Sequence, residues 1–259
     1  MQKMTNKIVL ITGANSGIGL ACAEQFAALG AKLIVTARQQ KTLDALVTDL
    51  HKRFNVPVQG LVVDVCNSKQ VAQALVSLPA EWQAIDILVN NAGVARGMAK
   101  LQDISDEHID QMIDTNMKGL IYVTRAVLKG MLARNSGHII NLGSISSRQV
   151  YTGGAVYCAT KFAVRALNTG IKMDVHGTPI RVTLVSPGVV ETNFFKNRFD
   201  GDESKAAAVV QGITPLNPND IANAVVYCAT LPAHVNIPEI QVFPTDQTAA
   251  HMVHRHSED

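Results

Sequence analysis

Two side chains near the middle of the chain have the types and the spacing that acid–base chemistry requires. Tyr157 and Lys161 stand four residues apart in the segment GGAVYCATKFAV, residues 153–164. In a helix, residues four apart project from the same face. A free tyrosine, with a pKa of about 10, is a poor base at neutral pH, and a nearby ammonium group lowers that pKa. Such a pair on its own is more often structural, so its interpretation depends on the elements around it.

Short β-branched apolar runs alternate with longer segments of helical periodicity. The strand-like runs are residues 7–12, 32–37, 58–65, 85–93, 137–144, 179–188 and 239–245, and helical patterns cover 17–30, 42–54, 68–78, 105–133 and the segment around Tyr157. Apolar strands separated by helices are typical of a parallel sheet covered on both faces. We predict an α/β fold, a single doubly wound Rossmann domain over residues 1–259 with a mostly parallel seven-stranded sheet and helices on both faces. The irregular segment 189–217 is expected to form a substrate-covering loop with a short helix.

Composition excludes several other classes of protein. The chain has 259 residues, 47% of them hydrophobic, and a formal net charge of +2, so it lacks the basic field that binds nucleic acid. Its apolar runs are shorter than the ~18 residues of a membrane helix. The four scattered cysteines form no Cys-x-x-Cys pair, which favours buried thiols over a disulfide framework or a metal site. With no secretory signal in view, we expect a cytoplasmic protein.

A glycine-rich segment, TGANSGIG at residues 12–19, joins the first predicted strand to the first predicted helix. In that position Gly13 allows the turn, Gly17 allows a phosphate to approach the backbone, and Gly19 allows the helix to pack on the sheet. The helix N-terminus offers free N–H groups and a positive dipole to a pyrophosphate. We assign cofactor contacts to Gly13, Asn15, Ser16, Gly17, Ile18 and Gly19. An ordinary turn between strand and helix is the alternative.

The end of the second predicted strand indicates which dinucleotide is bound. NAD-binding proteins place Asp or Glu there for the ribose 2′-hydroxyl, whereas this chain has Ala37 and then Arg38. Because a guanidinium can bind a 2′-phosphate with two hydrogen bonds, we predict NADP (NADPH) with Arg38 as its ligand; a solvated arginine is the alternative. Asp64 and Val65 end the third strand, where Asp64 would bond the adenine amino group or cap a turn.

Several motifs occur in the order that one enzyme family shows. TGANSGIG, NNAG (90–93), Asn116, Ser144, YCATK (157–161) and PG (187–188) together resemble the short-chain dehydrogenase/reductases over nearly the whole chain. The segments SLPAEW, GLIYVTRAVLKGM, TPLNPNDIANAV and FPTDQTAAH are similar to the NADP-dependent 3-hydroxy acid dehydrogenase branch. This resemblance implies a homotetramer that oxidises L-allo-threonine, serine and related 3-hydroxy acids, and reduces malonic semialdehyde.

The resemblance also implies a catalytic set of Asn116, Ser144, Tyr157 and Lys161. Tyr157 would be the general acid/base that takes the hydroxyl proton of an alcohol. Lys161, with a cationic nicotinamide ring, would lower the pKa of Tyr157 and bond the nicotinamide ribose. The Ser144 hydroxyl would donate to the substrate oxygen. Asn116 would hold a water of a proton relay, or it marks a helix irregularity without that role.

Other cofactor contacts follow the fourth and sixth predicted strands. Asn91 and Gly93 are expected on the adenosine side, with Asn90 partly structural. Pro187, Gly188, Val190 and Thr192 are expected at the nicotinamide end, and a rigid Pro-Gly turn is the alternative.

A 3-hydroxy acid carries a carboxylate, so its pocket requires a cation. Arg148 and Arg198 are the candidates for a bidentate contact, and we favour Arg148 because it is close in sequence to Ser144 and Tyr157. Gln149 would be a further polar contact. For each arginine, a surface position without a substrate role is the alternative.

The sequence therefore predicts a hydride transfer between NADP and a small 3-hydroxy acid. One alternative is a carbonyl or 3-oxoacyl reductase of the same family with broader scope. Another is a non-catalytic NADPH sensor on the same fold, since a fold does not determine function.

Overall fold

A seven-stranded sheet organises residues 3–256, the part of the chain that the computed structural model describes. Its strands are β1 (Ile8–Ile11), β2 (Lys32–Ala37), β3 (Val58–Val62), β4 (Ile87–Asn90), β5 (His138–Leu142), β6 (Arg181–Pro187) and β7 (Glu239–Val242). They lie in the order β3-β2-β1-β4-β5-β6-β7, and every neighbouring pair is parallel. The predicted Rossmann-like fold class is confirmed. Residues 1–2 and 257–259 of the predicted domain lie outside the described residues.

Helices cover both faces of this sheet. They are α1 (Gly17–Ala28), α2 (Gln40–Phe54), α3 (Ser68–Val76), α4 (Asp106–Ile113), α5 (Leu120–Ala133), α6 (Ala155–Asp174), α7 (Phe194–Arg198), α8 (Glu203–Val210) and α9 (Pro218–Thr230). Short 3-10 turns occur at Ala80–Trp82 and Ile145–Ser147. Among the described residues, no helix is long and apolar enough to cross a membrane.

The core consists of two layers separated by the sheet. Side chains alternate along β1, so that Val9 and Ile11 join one apolar cluster with α1, α2 and α9. Ile8 and Leu10 join a second cluster with α3, α5 and α6. Because the interior strands are buried on both faces and most of their side chains are apolar, the strands are held firmly and their carboxyl ends form a fixed edge. The strand order reverses between β1 and β4, which is where open α/β sheets bind ligands.

Three elements differ from the sequence predictions. The helical region 105–133 is divided by a π-helical turn, Asp114–Gly119, between α4 and α5. The segment 189–217 contains two helices, α7 and α8, where one was expected. After β7, a small antiparallel hairpin of β8 (Gln247–Ala249) and β9 (Met252–Val253) follows, for which we had no prediction. A two-residue strand is too short to show a periodic pattern.

Candidate active site

A large cavity of about 1010 Å³ opens at the carboxyl ends of the strands. Most of the predicted site residues line it: Gly13, Asn15, Ser16, Gly17, Ile18, Arg38, Asp64, Val65, Asn91, Gly93, Ser144, Tyr157, Lys161, Pro187, Gly188, Val190, Thr192 and Arg198. Four predicted residues do not line it, namely Gly19, Asn116, Arg148 and Gln149. The sheet edge therefore brings together segments from almost the whole length of the chain.

The glycine-rich loop leaves the N-terminus of α1 open to the cavity. Gly13 and Gly17 have φ angles of 64° and 55°, a left-handed conformation that glycine adopts without strain. Ser16, the residue that precedes α1, makes no side-chain capping hydrogen bond, and the first turn of α1 contains no acidic residue. The free N–H groups and the positive end of the helix dipole thus remain available to an anionic group such as a phosphate.

Asn91 fixes this loop from behind. Its side-chain amide donates to the carbonyl oxygens of Thr12 and Gly13, at 2.9 and 3.0 Å. A Cβ atom on Gly19 would collide with the Asn91 amide and with the Gly13 carbonyl. Gly19 therefore allows close packing behind the loop and does not line the cavity, and its contact with a cofactor stays a prediction.

The residues at the ends of β2 and β3 shape the far end of the cavity. Arg38 is exposed and lines the cavity directly after β2, where the chain has no acidic side chain. Asp64 also lines the cavity, and its Oδ1 accepts a hydrogen bond from the backbone N–H of Cys66 at 3.0 Å. One carboxylate oxygen of Asp64 thus has the structural role that we had left open as the alternative.

The catalytic candidates lie on α6 and on the segment after β5. Tyr157 and Lys161 are buried, with 8% and 7% of their surfaces exposed, and the Lys161 Nζ lies 6.0 Å from the centre of the Tyr157 ring. Lys161 Nζ donates to the backbone oxygen of Leu142 at 2.9 Å, which ties the ammonium to the end of β5. The Ser144 hydroxyl accepts a hydrogen bond from the Ser146 N–H at 3.1 Å and faces the same cavity.

Burial has opposite effects on the two members of this pair. It raises the pKa of Tyr157 well above its usual value, and the negative charge of Tyr151 in its ionised form adds to that increase, while the Ser144 hydroxyl and the charge of Arg198 oppose it. Burial also lowers the pKa of Lys161 to about 8. In the polypeptide alone, burial is the largest influence on the pKa of Tyr157. That Lys161 and a cationic nicotinamide ring together lower this pKa stays a prediction.

Asn116 lies in the π-helical turn, and all its side-chain polar atoms are bound to protein. Its amide oxygen accepts from Val94 N and its amide nitrogen donates to Val94 O, both at 2.8 Å. The same nitrogen donates to the Thr160 hydroxyl at 3.0 Å, and Thr160 donates to the Tyr157 carbonyl at 2.7 Å. Asn116 thus joins the loop after β4 to α6, and a helix irregularity of this kind often marks a functional site.

Arg198 enters the cavity from α7 and is only 5% exposed. Its guanidinium carbon lies 5.7 Å from the centre of the Tyr157 ring. Its Nε donates to the Gly97 carbonyl at 2.8 Å and its Nη1 donates to the Tyr151 hydroxyl at 2.9 Å. No carboxylate within residues 3–256 forms an ion pair with it. A buried cation therefore stands beside the candidate acid/base with its charge unneutralised.

Arg148, the arginine that we favoured, lies elsewhere. Its guanidinium forms a two-point ion pair with Glu239 on β7, at 2.9 and 2.5 Å, and it does not line the cavity. Glu239 is 91 residues away in sequence, so the local context of Arg148 gave no sign of it. The Gln149 side-chain oxygen accepts a hydrogen bond from Ala250 N at 2.6 Å and so holds the C-terminal segment. Neither side chain lines the cavity, and each is bound to another part of the protein, so the structure offers no support for the two predicted substrate contacts.

Sequence reasoning missed several residues of the cavity wall. They are Met98, Tyr151, Phe194, Phe195, Lys205, Gln247, Ala250, Val253 and Arg255. The C-terminal members follow β7, so the rule that ligands bind beyond the carboxyl ends of the strands was a usable signal for them. Gln247 is 4% exposed and accepts a hydrogen bond from Val189 N at 2.8 Å, which fixes the loop after β6.

The described residues contain no group of three or more His, Cys, Asp or Glu side chains placed to hold a metal ion. The cavity instead combines an open helix N-terminus at one end with a buried tyrosine, lysine and arginine at the other. With the Rossmann-like sheet, this combination defines a dinucleotide-dependent oxidoreductase.

Comparison with known proteins supports that class. A family model described as short chain dehydrogenase matches residues 7–203. The NADP-dependent 3-hydroxy acid dehydrogenase of Salmonella typhi is 46% identical over 250 residues, which are 96% of this chain and 99% of the relative. Sulfoacetaldehyde reductase 2 of Chromohalobacter salexigens is 42% identical, over 93% of this chain and 95% of the relative. A solved structure, the closed form of serine dehydrogenase complexed with NADP+, has a TM-score of 0.89 and 47% identity, with 96% of this chain and 100% of that chain covered.

The protein therefore belongs to the short-chain dehydrogenase family, and it is an enzyme.

Proposed function

We propose that the protein is an NADP-dependent oxidoreductase that transfers a hydride between nicotinamide and a small 3-hydroxy acid, such as serine, L-allo-threonine or 3-hydroxypropionate. The observation that carries the substrate class is the buried, unneutralised Arg198 next to Tyr157. A guanidinium binds a carboxylate with geometric specificity. The names of the similar proteins, a 3-hydroxy acid dehydrogenase and a serine dehydrogenase with NADP+, support both the cofactor and the acid.

The cavity fits a dinucleotide. Its pyrophosphate would be bound at the open N-terminus of α1, and Arg38 would bind the 2′-phosphate of the adenosine half. At the other end, a Cβ on Gly93 would lie 3.6 Å from Lys161 Nζ, so the glycine keeps space beside the lysine. The remaining contacts that we propose come from Val65, Pro187, Gly188, Val190 and Thr192, which line the cavity. When bound, the oxidised cofactor supplies a hydride acceptor and a positively charged ring.

The side chains of the chain itself supply the proton chemistry. In the oxidation direction, the positive charges of Lys161 and of the bound nicotinamide ring would favour the phenolate form of Tyr157 against the effect of burial. That phenolate would take the hydroxyl proton of the substrate as the carbinol carbon gives its hydride to the cofactor. The Ser144 hydroxyl donates a hydrogen bond to the substrate oxygen and stabilises the charge that develops there. Lys161 would bind the nicotinamide ribose and supply a positive charge. The Asn116 side chain binds the backbone of Val94 and the hydroxyl of Thr160, and we propose that a water of the proton relay is held next to Asn116.

The Arg198 guanidinium would bind the substrate carboxylate. A sulfonate has a similar charge and similar acceptor oxygens, so reduction of sulfoacetaldehyde is a second candidate activity, in accord with the name of the Chromohalobacter relative. Residues 189–217, which carry Arg198, would cover the bound substrate.

We also propose a homotetramer located in the cytoplasm. The four cysteines are free thiols, which is typical of a reducing compartment. Size-exclusion chromatography with light scattering measures the assembly directly, and a monomeric mass would reject the tetramer.

The function is tested by a substrate screen that follows nicotinamide absorbance. The purified protein is mixed with NADP or NAD and with L-serine, L-allo-threonine, 3-hydroxypropionate, 2-hydroxyethanesulfonate or an uncharged secondary alcohol. We expect NADP-dependent turnover of the carboxylic acids and slower turnover of the sulfonate. Turnover of the neutral alcohol alone would reject the proposal of an acid dehydrogenase and favour a carbonyl reductase of broader scope. Tight NADPH binding without turnover of any compound in either direction would favour the sensor.

The cofactor assignment has its own test in Arg38→Ala. Loss of a charge-assisted contact with the 2′-phosphate should weaken NADPH binding by roughly tenfold to a hundredfold. Binding of NADH, which lacks that phosphate, should change little. Equal affinity of the variant and the native protein for NADPH would reject Arg38 as the ligand.

A further inference from the structure

Tyr151 lines the cavity, and the proposed chemistry gives it no role. It precedes α6 by four residues, and its hydroxyl oxygen accepts the hydrogen bond from Arg198 Nη1 at 2.9 Å. The centre of its ring lies 5.5 Å from the guanidinium carbon of Arg198. One side chain thus contacts the substrate-binding cation through both its oxygen and its ring.

The hydrogen bonds of Arg198 leave one arm of the guanidinium for a ligand. Nε is bound by the Gly97 carbonyl and Nη1 by the Tyr151 hydroxyl. Nη2 donates to no acceptor within residues 3–256. The Gly97 N–H in turn donates to the Arg198 carbonyl at 2.7 Å, so the backbone of α7 is held at the same point.

All the groups that hold Arg198 are neutral. The rings of Tyr151, Tyr157 and Phe199 lie within 5.9 Å of the guanidinium carbon. The nearest acidic residue in sequence, Asp200, is within ion-pair distance of Arg96 and His108 instead. Neutral acceptors and ring faces stabilise a buried cation without cancelling its charge. The positive charge therefore remains available to an anionic substrate.

We propose that Tyr151 is a positioning residue, which holds the Arg198 guanidinium beside Tyr157 and thereby sets the preference of the enzyme for acids over neutral alcohols. The inference rests on the proposed function, because it assumes that Arg198 binds the acid group. Among the described residues, two acceptors bind the guanidinium, the Gly97 carbonyl at Nε and the Tyr151 hydroxyl at Nη1. Because the guanidinium is a rigid plane, the second contact, from the Tyr151 hydroxyl, fixes the orientation of that plane.

The test is Tyr151→Phe, which removes the hydroxyl and keeps the ring. We expect KM for the 3-hydroxy acid to rise on the order of tenfold, the effect of a lost hydrogen bond to a charged group. Turnover of a neutral secondary alcohol and the affinity for NADPH, measured by fluorescence titration, should stay unchanged. Tyr227→Phe is the matched control, because Tyr227 lies on α9 and is 52% exposed. Melting temperatures of both variants establish that they fold.

A double-mutant cycle with Arg198→Gln separates positioning from a purely structural role. If Tyr151 acts through Arg198, Tyr151→Phe should have no further effect on acid KM in the Arg198→Gln background. Additive effects of the two substitutions would overturn the inference, and so would equal losses on the acid and the neutral alcohol. Failure of the native protein to turn over any acid would instead reject the proposed function, and the inference with it.

Discussion

Two cations flank Tyr157, and they are held by very different parts of the molecule. Lys161 lies on α6, a helix of 20 residues, and its Nζ is bound to the end of β5. Arg198 is the last residue of α7, a helix of five residues that is held by a loop 101 residues away in sequence. The proton-transfer groups thus belong to the sheet, whereas the recognition group belongs to the covering segment. Changes in the first region should affect kcat, and changes in the second should affect substrate choice.

The strongest test of this division is Tyr157→Phe. Loss of the phenol removes the general acid/base, and we expect kcat to fall by about 10²- to 10⁴-fold for acids and neutral alcohols alike. NADPH binding by fluorescence should persist, because the ring remains. A kcat within a few-fold of the native value would show that another group transfers the proton.

A second test addresses the covering segment through Arg198→Gln. Loss of the charge should reduce kcat/KM for 3-hydroxy acids by roughly tenfold to a hundredfold, because a charge-assisted contact is lost. Steady-state kinetics on a neutral alcohol, which has no carboxylate, should be nearly unchanged. A loss of the same size on both substrates would place Arg198 with the catalytic groups and abolish the contrast between the two regions.

A third test uses the titration of Lys161. Burial lowers the pKa of Lys161 from 10.5 to about 8, so between these values the unfolded chain binds a proton that the folded chain lacks. The free energy of unfolding should therefore rise with pH in this window, relative to Lys161→Met, by up to about 1.4 kcal/mol per pH unit. Urea unfolding of the native protein and of Lys161→Met, both without cofactor, at pH 8 and 9 measures this dependence. The contributions of the other titrating groups are the same in both proteins, so they cancel when the two free energies of unfolding are subtracted. Parallel stability curves would mean that Lys161 is not desolvated.

The smallest effect concerns the cavity as a whole. Five residues of its lining are positively charged and one is negatively charged. The positive residues are Arg38, Lys161, Arg198, Lys205 and Arg255, and the negative residue is Asp64. Such an excess of positive charge attracts an anionic substrate and cofactor, although the chain as a whole carries only +2. We expect kcat/KM for acids to fall by a few-fold between about 0.05 and 0.5 M salt, and to stay constant for a neutral alcohol. An equal response of the two substrates would indicate a general effect of salt on the protein.

The sequence predicted well the region that the sheet holds, which contains Ser144, Tyr157 and Lys161. Strand and helix periodicity placed Ser144 and Tyr157 at the same sheet edge, and the four-residue spacing placed Lys161 on the same helix face, because these relations depend on local geometry. Both residues of the Tyr157–Lys161 pair line the cavity as expected, together with Ser144. Their chemical roles remain predictions that the kinetics above would test.

The covering segment, residues 189–217, was much less predictable, because its contacts join distant parts of the chain. Arg198 is bound by Tyr151, 47 residues away, and by Gly97, 101 residues away. Arg148 seemed the better candidate on sequence distance alone, yet Glu239 on the last strand of the sheet binds its guanidinium. Asn116 pointed to an irregularity of the helix, but the apolar pattern did not show the type or the bounds of the π-helical turn at Asp114–Gly119, since a single extra residue in one turn leaves little trace in that pattern.

The reciprocal hydrogen bonds between Gly97 and Arg198 have a consequence for the motions of the native state. The Gly97 amide hydrogen is protected only while α7 is in place, so its exchange with solvent measures the local opening of that segment. The amide of Leu10, in the central strand β1, exchanges only through much larger unfolding. Each exchange rate, divided by the intrinsic rate of its amide, would thus give the free energy of local opening for Gly97 and that of the larger unfolding for Leu10, from measurements on one protein.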